Sequence, residues 1–172
     1  MLFQQQQTHQ QEKPQEQQQP SQQQAYQATP VMQVAQGGNR NPKNMPMEGD
    51  GREWSSGICS CVDGGTCCVS FFCPCITYGK IKHRYEHLQE QGYPDPEHGG
   101  GCSSGPCWGH CLLTSCFGMG WVLQIFNRTD IRKRYNIKGS GFSDCCLSFW
   151  CNPCALAQQS YELELEEQSF QV

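Results

Sequence analysis

Cys67-Cys68-Val69-Ser70-Phe71-Phe72-Cys73-Pro74-Cys75 is the stretch on which the reading of this chain turns. It joins a vicinal cysteine pair to a second pair straddling a proline, with mostly apolar residues between. The plan returns as CCLSFWCNPC at Cys145, Cys146, Cys151 and Cys154. Thiols bind soft metals or form disulfides, and here they lie inside apolar strips, so the site is expected to be buried or at a membrane. Each strip leads into a helical pattern. Tyr78, Ile81, Tyr85 and Leu88 recur at spacings of three and four, which predicts a helix over about Cys73 to Gln91 with Pro74 in its first turn. After the second strip, Ala155 to Glu167 is strongly helix-forming, with Leu156, Gln159, Leu163 and Glu166 on one face. The two copies lie about 78 residues apart, counted from Cys67 to Cys145. Two copies are too few for a solenoid.

Between them, Asp95 to Gly105 reads as loop. Trp108 to Phe126 is the longest apolar run, 19 residues with no formal charge apart from any proton on His110. A membrane-spanning helix needs about 20 apolar residues. His110, Thr114, Ser115 and Gln124 dilute the run and Gly118 and Gly120 weaken it, so a core or interfacial helix and a true span both stay open. Arg128, Arg132, Lys133, Arg134 and Lys138 follow. They read as a juxtamembrane cluster facing anionic lipid, or as a solvated helix end. Asn127-Arg128-Thr129 matches the N-glycosylation triplet and is taken as chance.

Residues 1 to 36 hold 16 glutamines and almost no large apolar side chains, so they cannot offset the entropy of ordering. The expected organisation is a disordered Gln-rich tail and linker over 1–50, a cysteine-rich domain over 51–167 and a short tail over 168–172. All 14 cysteines fall between Cys59 and Cys154. No apolar signal segment follows Met1-Leu2-Phe3, so the tail is expected on the cytosolic side, where thiols are kept reduced and metal binding is favoured over disulfides. A net charge of −4 argues against nucleic acid as a partner.

Cys151-x-x-Cys154 has zinc-ligand spacing, and Cys73-Pro74-Cys75 fits less well. The expected ligands are Cys67, Cys68, Cys73, Cys75, Cys145, Cys146, Cys151 and Cys154. Cys59, Cys61, Cys107 and Cys111 are additional candidates, the last two one helical turn apart. The expected cofactor is zinc or another soft divalent ion. The competing readings are small buried hydrophobes and S-acylated thiols. His83 and His87 are one turn apart, but Arg84 stands where a zincin needs glutamate, so a solvated face is the reading there. No phosphate-cradling loop or nucleophile elbow occurs, and no enzyme activity is expected.

CCVSFFCPC resembles the CC-x4-CPC signature of the placenta-specific-gene-8 cysteine-rich family, whose members include plant cadmium-resistance proteins and fruit-weight or cell-number regulators. Trp54-Ser55-Ser56-Gly57-Ile58-Cys59-Ser60-Cys61 is similar to its Trp-x-x-Gly-[Leu/Ile]-Cys-x-Cys opening. Arg132-Lys133-Arg134-Tyr135, with the second strip and its helix, resembles the distal part, so the likeness runs from about Trp54 to Leu163. Relatives often carry Cys-Gln-Glu where this chain has Ala157-Gln158-Gln159, and Arg where Tyr161 stands.

The resemblance implies a membrane-associated protein, often at the plasma membrane, with roles in divalent-metal resistance or transport (cadmium, zinc) or in cell number. Transport would need a homo-oligomer. The combined expectation is a mainly α, small cysteine-rich domain of about three to four helices with long loops, which binds heavy metals at a membrane. The alternative is a soluble zinc-stabilised interaction module or a growth regulator without transport activity.

Overall fold

A computed structural model describes residues 37–171. The Gln-rich segment expected to be disordered, residues 1–36, lies outside the described residues, as does Val172. The class is mainly α with long loops, as expected, but the helical part is divided into six: α1 (Gly64–Phe72), α2 (Pro74–Glu90), α3 (Gly105–Phe117), α4 (Gly120–Arg134), α5 (Gly141–Trp150) and α6 (Asn152–Gln168). A two-stranded hairpin, β1 (Met47–Glu48) with β2 (Gly51–Arg52), precedes them.

The count exceeds three to four because each apolar stretch is broken once. Cys73 and Cys151 leave the helical region at φ −134°, ψ 65° and φ −137°, ψ 63°. In both cases a proline in the next helix's first turn lacks the N–H that would continue the ladder. Gly118 breaks the central run at φ 63°, a left-handed position that glycine adopts without steric cost. The run Trp108 to Phe126 is therefore the end of α3 joined to the start of α4. Among the described residues no helix is long and apolar enough to cross a membrane.

The helices form three successive pairs, α1–α2, α3–α4 and α5–α6, and each helix packs on its chain neighbours, with α1 closing the ring on α6. Inside the ring the long helices α2, α4 and α6 pack on one another. Gln124 bonds the Asn152 carbonyl, Asn127 bonds Gln159 and Arg134 bonds Glu166, so α4 and α6 run in the same direction. Their apolar centre is Tyr78, Ile81, Tyr85 and Leu88 of α2, Ile131 of α4, Leu156 and Leu163 of α6, and Tyr135 and Ile137 beyond α4. The α2 face and the α6 face predicted from periodicity are both buried.

α3 crosses α2 closely. A Cβ on Gly79 would meet Ser104 Oγ at 2.7 Å and Cys107 Cβ at 2.8 Å, so only hydrogen fits there. Gly79→Ala is expected to cost about 1–3 kcal/mol by overpacking, read as a lower midpoint in urea unfolding. An unchanged midpoint would show that the two helices are not held at this distance.

The core is also ionic. Glu162, Glu166 and Glu167 of α6 are buried, and each takes an arginine from a different segment. Glu162 pairs with Arg52 at 2.9 Å, Glu166 with Arg134 at 2.7 Å and Glu167 with Arg84 at 2.7 Å. Arg128 lies 3.2 Å from Asp144 and stacks on Trp54 at 4.0 Å, and Arg132 bonds the same aspartate at 3.0 Å. Burial lowers the pKa of Arg128 to about 10 against the opposing pull of Asp144. The arginines expected to face lipid or solvent are therefore mostly internal. Asn127, of the glycosylation triplet, is buried as well.

Residues 37–50, expected as linker, lie against the end of α6. Asn39 N–H donates to Ser169 Oγ, Arg40 lies 3.9 Å from Glu166, and the Arg40 carbonyl accepts from Arg52. His83 and His87 engage Asp95 and the Tyr93 carbonyl. Asp95 organises the 95–99 loop. Burial raises its pKa, but bonds from the Gly99 and Glu97 N–H groups and from His83 outweigh this and leave it below the ordinary 3.8. A depressed carboxyl pKa gives stability that is present above the unfolded value and lost as pH falls through the folded one. Thermal midpoints should therefore fall below about pH 3.8 with a slope that Asp95→Asn reduces. Identical slopes for the two proteins would refute the assignment.

Candidate thiol site at the aromatic end of the bundle

The three breaks define one end of the bundle. Cys75 and Gly79 on α2 face Cys111 and Cys107 on α3, so α3 runs antiparallel to α2 and its C-terminus reaches the end where α2 begins. Trp121, at the start of α4, packs edge-on against Phe149 at 5.3 Å, near the end of α5. The C-termini of α1, α3 and α5 and the N-termini of α2, α4 and α6 therefore gather together. Here the chain exposes Phe71 (69%), Phe72 (77%), Phe117, Met119, Phe149 and Trp150 (82%). The opposite end carries the α6 carboxylates and their arginines.

Most strip thiols share the aromatic end, but they are distributed rather than clustered. In the first strip Cys67 is disulfide-bonded to Cys61, while Cys68 and Cys73 are free and exposed. Cys75 is half-buried, and its pKa is pushed up to about 11 by burial and by the facing thiols of Cys107 and Cys111. In the second strip Cys151 is bonded to Cys154, while Cys145 and Cys146 are free and half-buried. Cys59 is free and exposed. α1 and α5 do not touch, although both rest on α6, so the two strips do not build one joint site.

The two disulfides depart from the expectation of an all-reduced inventory. Cys151 and Cys154 fall in one turn at the start of α6, with Cα atoms 5.4 Å apart, and the loop before α1 brings Cys61 within 5.7 Å of Cys67. Among the described residues no group of three or more histidine, cysteine, aspartate or glutamate side chains is arranged to hold a metal ion. The convergence of Cys75, Cys107 and Cys111 across α2 and α3 is the nearest approach, and its donor set is soft. Periodicity had placed Cys107 and Cys111 on one face. The signal that Cys75 opposes them was Gly79, one turn beyond Cys75.

His110 lies beside this trio, buried and stacked on Tyr78 at 4.8 Å, with burial lowering its pKa. Its Nε2 has no hydrogen-bond partner in the described structure.

Residues 54–162 match the PLAC8 family. The chain belongs to that family. Among curated PLAC8 relatives, cell number regulator 11 of Zea mays is 36% identical over 113 residues, 65% of this chain and 63% of that protein. Cell number regulator 9 of Zea mays is 35% identical over 65% of this chain and 58% of its own length. The protein plant cadmium resistance 1 of Arabidopsis thaliana is 38% identical over 65% of this chain and 68% of its own length. The chain thus spans about three-fifths of the length of the first two relatives. No solved structure matches.

The PLAC8 match begins at Trp54, the residue that stacks on Arg128, and ends at Glu162, which anchors Arg52. The region it covers includes both strips and all six helix starts. In this PLAC8 chain Gln158 and Gln159 are buried and hydrogen-bonded to Arg128 and Asn127, so α6 uses amides to hold α4.

Proposed function

We propose that this PLAC8 protein sits at a membrane surface by its aromatic end and handles soft divalent ions there through the thiols at that end. The observation that carries the reading is the gathering of six large exposed apolar side chains, Phe71, Phe72, Phe117, Met119, Phe149 and Trp150, at one end of the bundle. Trp108, Phe142 and Tyr93 are exposed away from that end, and the buried ion pairs of α6 lie toward the opposite one. Exposed apolar patches of this kind mark interaction sites, and aromatics are favoured at the membrane–water boundary. With no helix of spanning length among the described residues, the fitting mode is interfacial insertion. Soft-metal handling is supported by the thiolate donor set and by relatives named for cadmium resistance. The cell-number regulators among the relatives support a second role, growth control, which the same membrane-bound form could serve.

The test is flotation of purified protein with phosphatidylcholine vesicles, in the presence and absence of cadmium, with metal measured in the floated fraction. Protein and cadmium are expected to float together, and Cys75→Ser is expected to lower the bound cadmium without lowering flotation. Protein that stays at the bottom of the gradient removes the membrane part. Cadmium content unchanged in Cys75→Ser and in a Cys107→Ser/Cys111→Ser chain removes the trio from metal handling.

A further inference from the structure

The two strips begin their long helices with the same backbone but with different spacing, and that difference separates their chemistry. Cys73 and Cys151 are the N-caps of α2 and α6 with nearly identical dihedrals, and neither makes a side-chain capping bond. One residue separates Cys73 from Cys75. The two stay unlinked, and Cys75 turns toward Cys107 and Cys111. Two residues, Asn152 and Pro153, separate Cys151 from Cys154, and this pair is closed as a disulfide.

The environment of the closed pair favours exchange. It lies in the first turn of a 17-residue helix that has no acidic side chain in that turn. Exposed backbone N–H groups and the helix dipole there stabilise a thiolate at Cys151. Both cysteines are partly exposed, so a small thiol can reach the sulfurs of the protein free of membrane.

We propose that Cys151 and Cys154 form a thiol–disulfide exchange centre whose substrates are low-molecular-weight thiols of the glutathione class. A thiolate of the small thiol attacks Cys151 Sγ. The Cys151–Cys154 bond breaks, a mixed disulfide forms at Cys151, and Cys154 leaves as a thiolate that takes a proton. A second small-thiol thiolate attacks the small-thiol sulfur of the mixed disulfide and releases Cys151 as a thiolate, which is protonated in turn. Two small thiols are oxidised to their disulfide, and the cysteine pair gains two electrons and two protons. The reverse sequence reoxidises the pair. This centre is independent of the metal reading.

The test uses the full chain in chelator, equilibrated with glutathione buffers from fully reduced to fully oxidised. Samples are acid-quenched, alkylated, digested and analysed by mass spectrometry. The peptide holding Cys151 and Cys154 is expected to pass from doubly alkylated to internally linked across the series, while Cys73 and Cys75 never link to each other. In Cys154→Ser, Cys151 is expected to hold one glutathione, at several-fold higher occupancy than Cys73. A pair that stays linked in the most reducing buffer is a structural bridge and overturns the proposal. So does a pair that stays reduced in the most oxidising buffer, or equal glutathione capture at Cys73 and Cys151. The wild-type series needs no variant, so a misfolded Cys154→Ser chain leaves the test intact.

Discussion

Glu166→Ala should remove about 3–5 kcal/mol of the domain's stability. Glu166 is fully buried and accepts from Arg134 at 2.7 and 3.0 Å and from the Tyr135 hydroxyl at 2.6 Å. Removing it leaves a buried phenol with no acceptor and a nearly buried guanidinium with only the Leu88 carbonyl, at 3.5 Å, and no counter-charge. Breaking a buried ion pair from one side costs about 3–5 kcal/mol, against a whole-domain stability of about 5–15 kcal/mol. Urea titration should show the midpoint collapse in Glu166→Ala. Glu166→Gln should lose less, because an amide oxygen can still accept from Tyr135. The double variant Glu166→Ala/Arg134→Met should recover part of the loss, since the stranded charge is gone. A loss below about 1 kcal/mol for Glu166→Ala would mean that water reaches the pair and that the ionic interior is not sealed.

Replacing Phe71, Phe72 and Trp150 with serine should abolish vesicle binding while leaving the fold intact. These three are at least two-thirds exposed, so the folded state loses little packing. Each aromatic moved from water into an apolar phase contributes roughly 1.5 kcal/mol or more. Three together amount to about 4.5 kcal/mol, a partition weaker by roughly a thousandfold. The internal placement of the arginines adds a second expectation. Binding should depend only weakly on salt and on anionic lipid, because Arg84, Arg128, Arg132 and Arg134 are already paired with carboxylates. Flotation that survives the triple substitution, or that vanishes in moderate salt, would point to a charged surface elsewhere.

Helix α2 was legible because its apolar residues keep a strict spacing and Pro74 marks its start. α6 was legible in its face, although its first turn begins at Asn152, ahead of the predicted Ala155. The helices α1 and α5 were not, because a strip of cysteine, serine and aromatic residues exposes its largest side chains and carries no inward-facing period. In the apolar run over Trp108 to Phe126, Gly118 and Gly120 were legible as weak points, but hydropathy does not show that Gly118 turns left-handed and ends the helix outright. The ionic core was hidden for a different reason. Arg52 meets Glu162 across 110 positions and Arg84 meets Glu167 across 83, and a charge with a distant partner looks the same in sequence as a charge in solvent. The duplicated strips were read as ligands of one kind. The one-residue difference between Cys-Pro-Cys and Cys-Asn-Pro-Cys was visible, but the separation of α1 from α5 could come only from three dimensions.

The collection of arginines by α6 sets an order on biosynthesis. Arg52, Arg84 and Arg134 each precede in the chain the α6 carboxylate that neutralises them, Glu162, Glu167 and Glu166. The segments before α6 therefore cannot close around a neutral interior on their own. These three cationic side chains must stay hydrated until α6 is in place. Closure then waits for α6 and engages all three long helices together, and a chain stopped short of Glu162 would be left with charges that no remaining segment can neutralise.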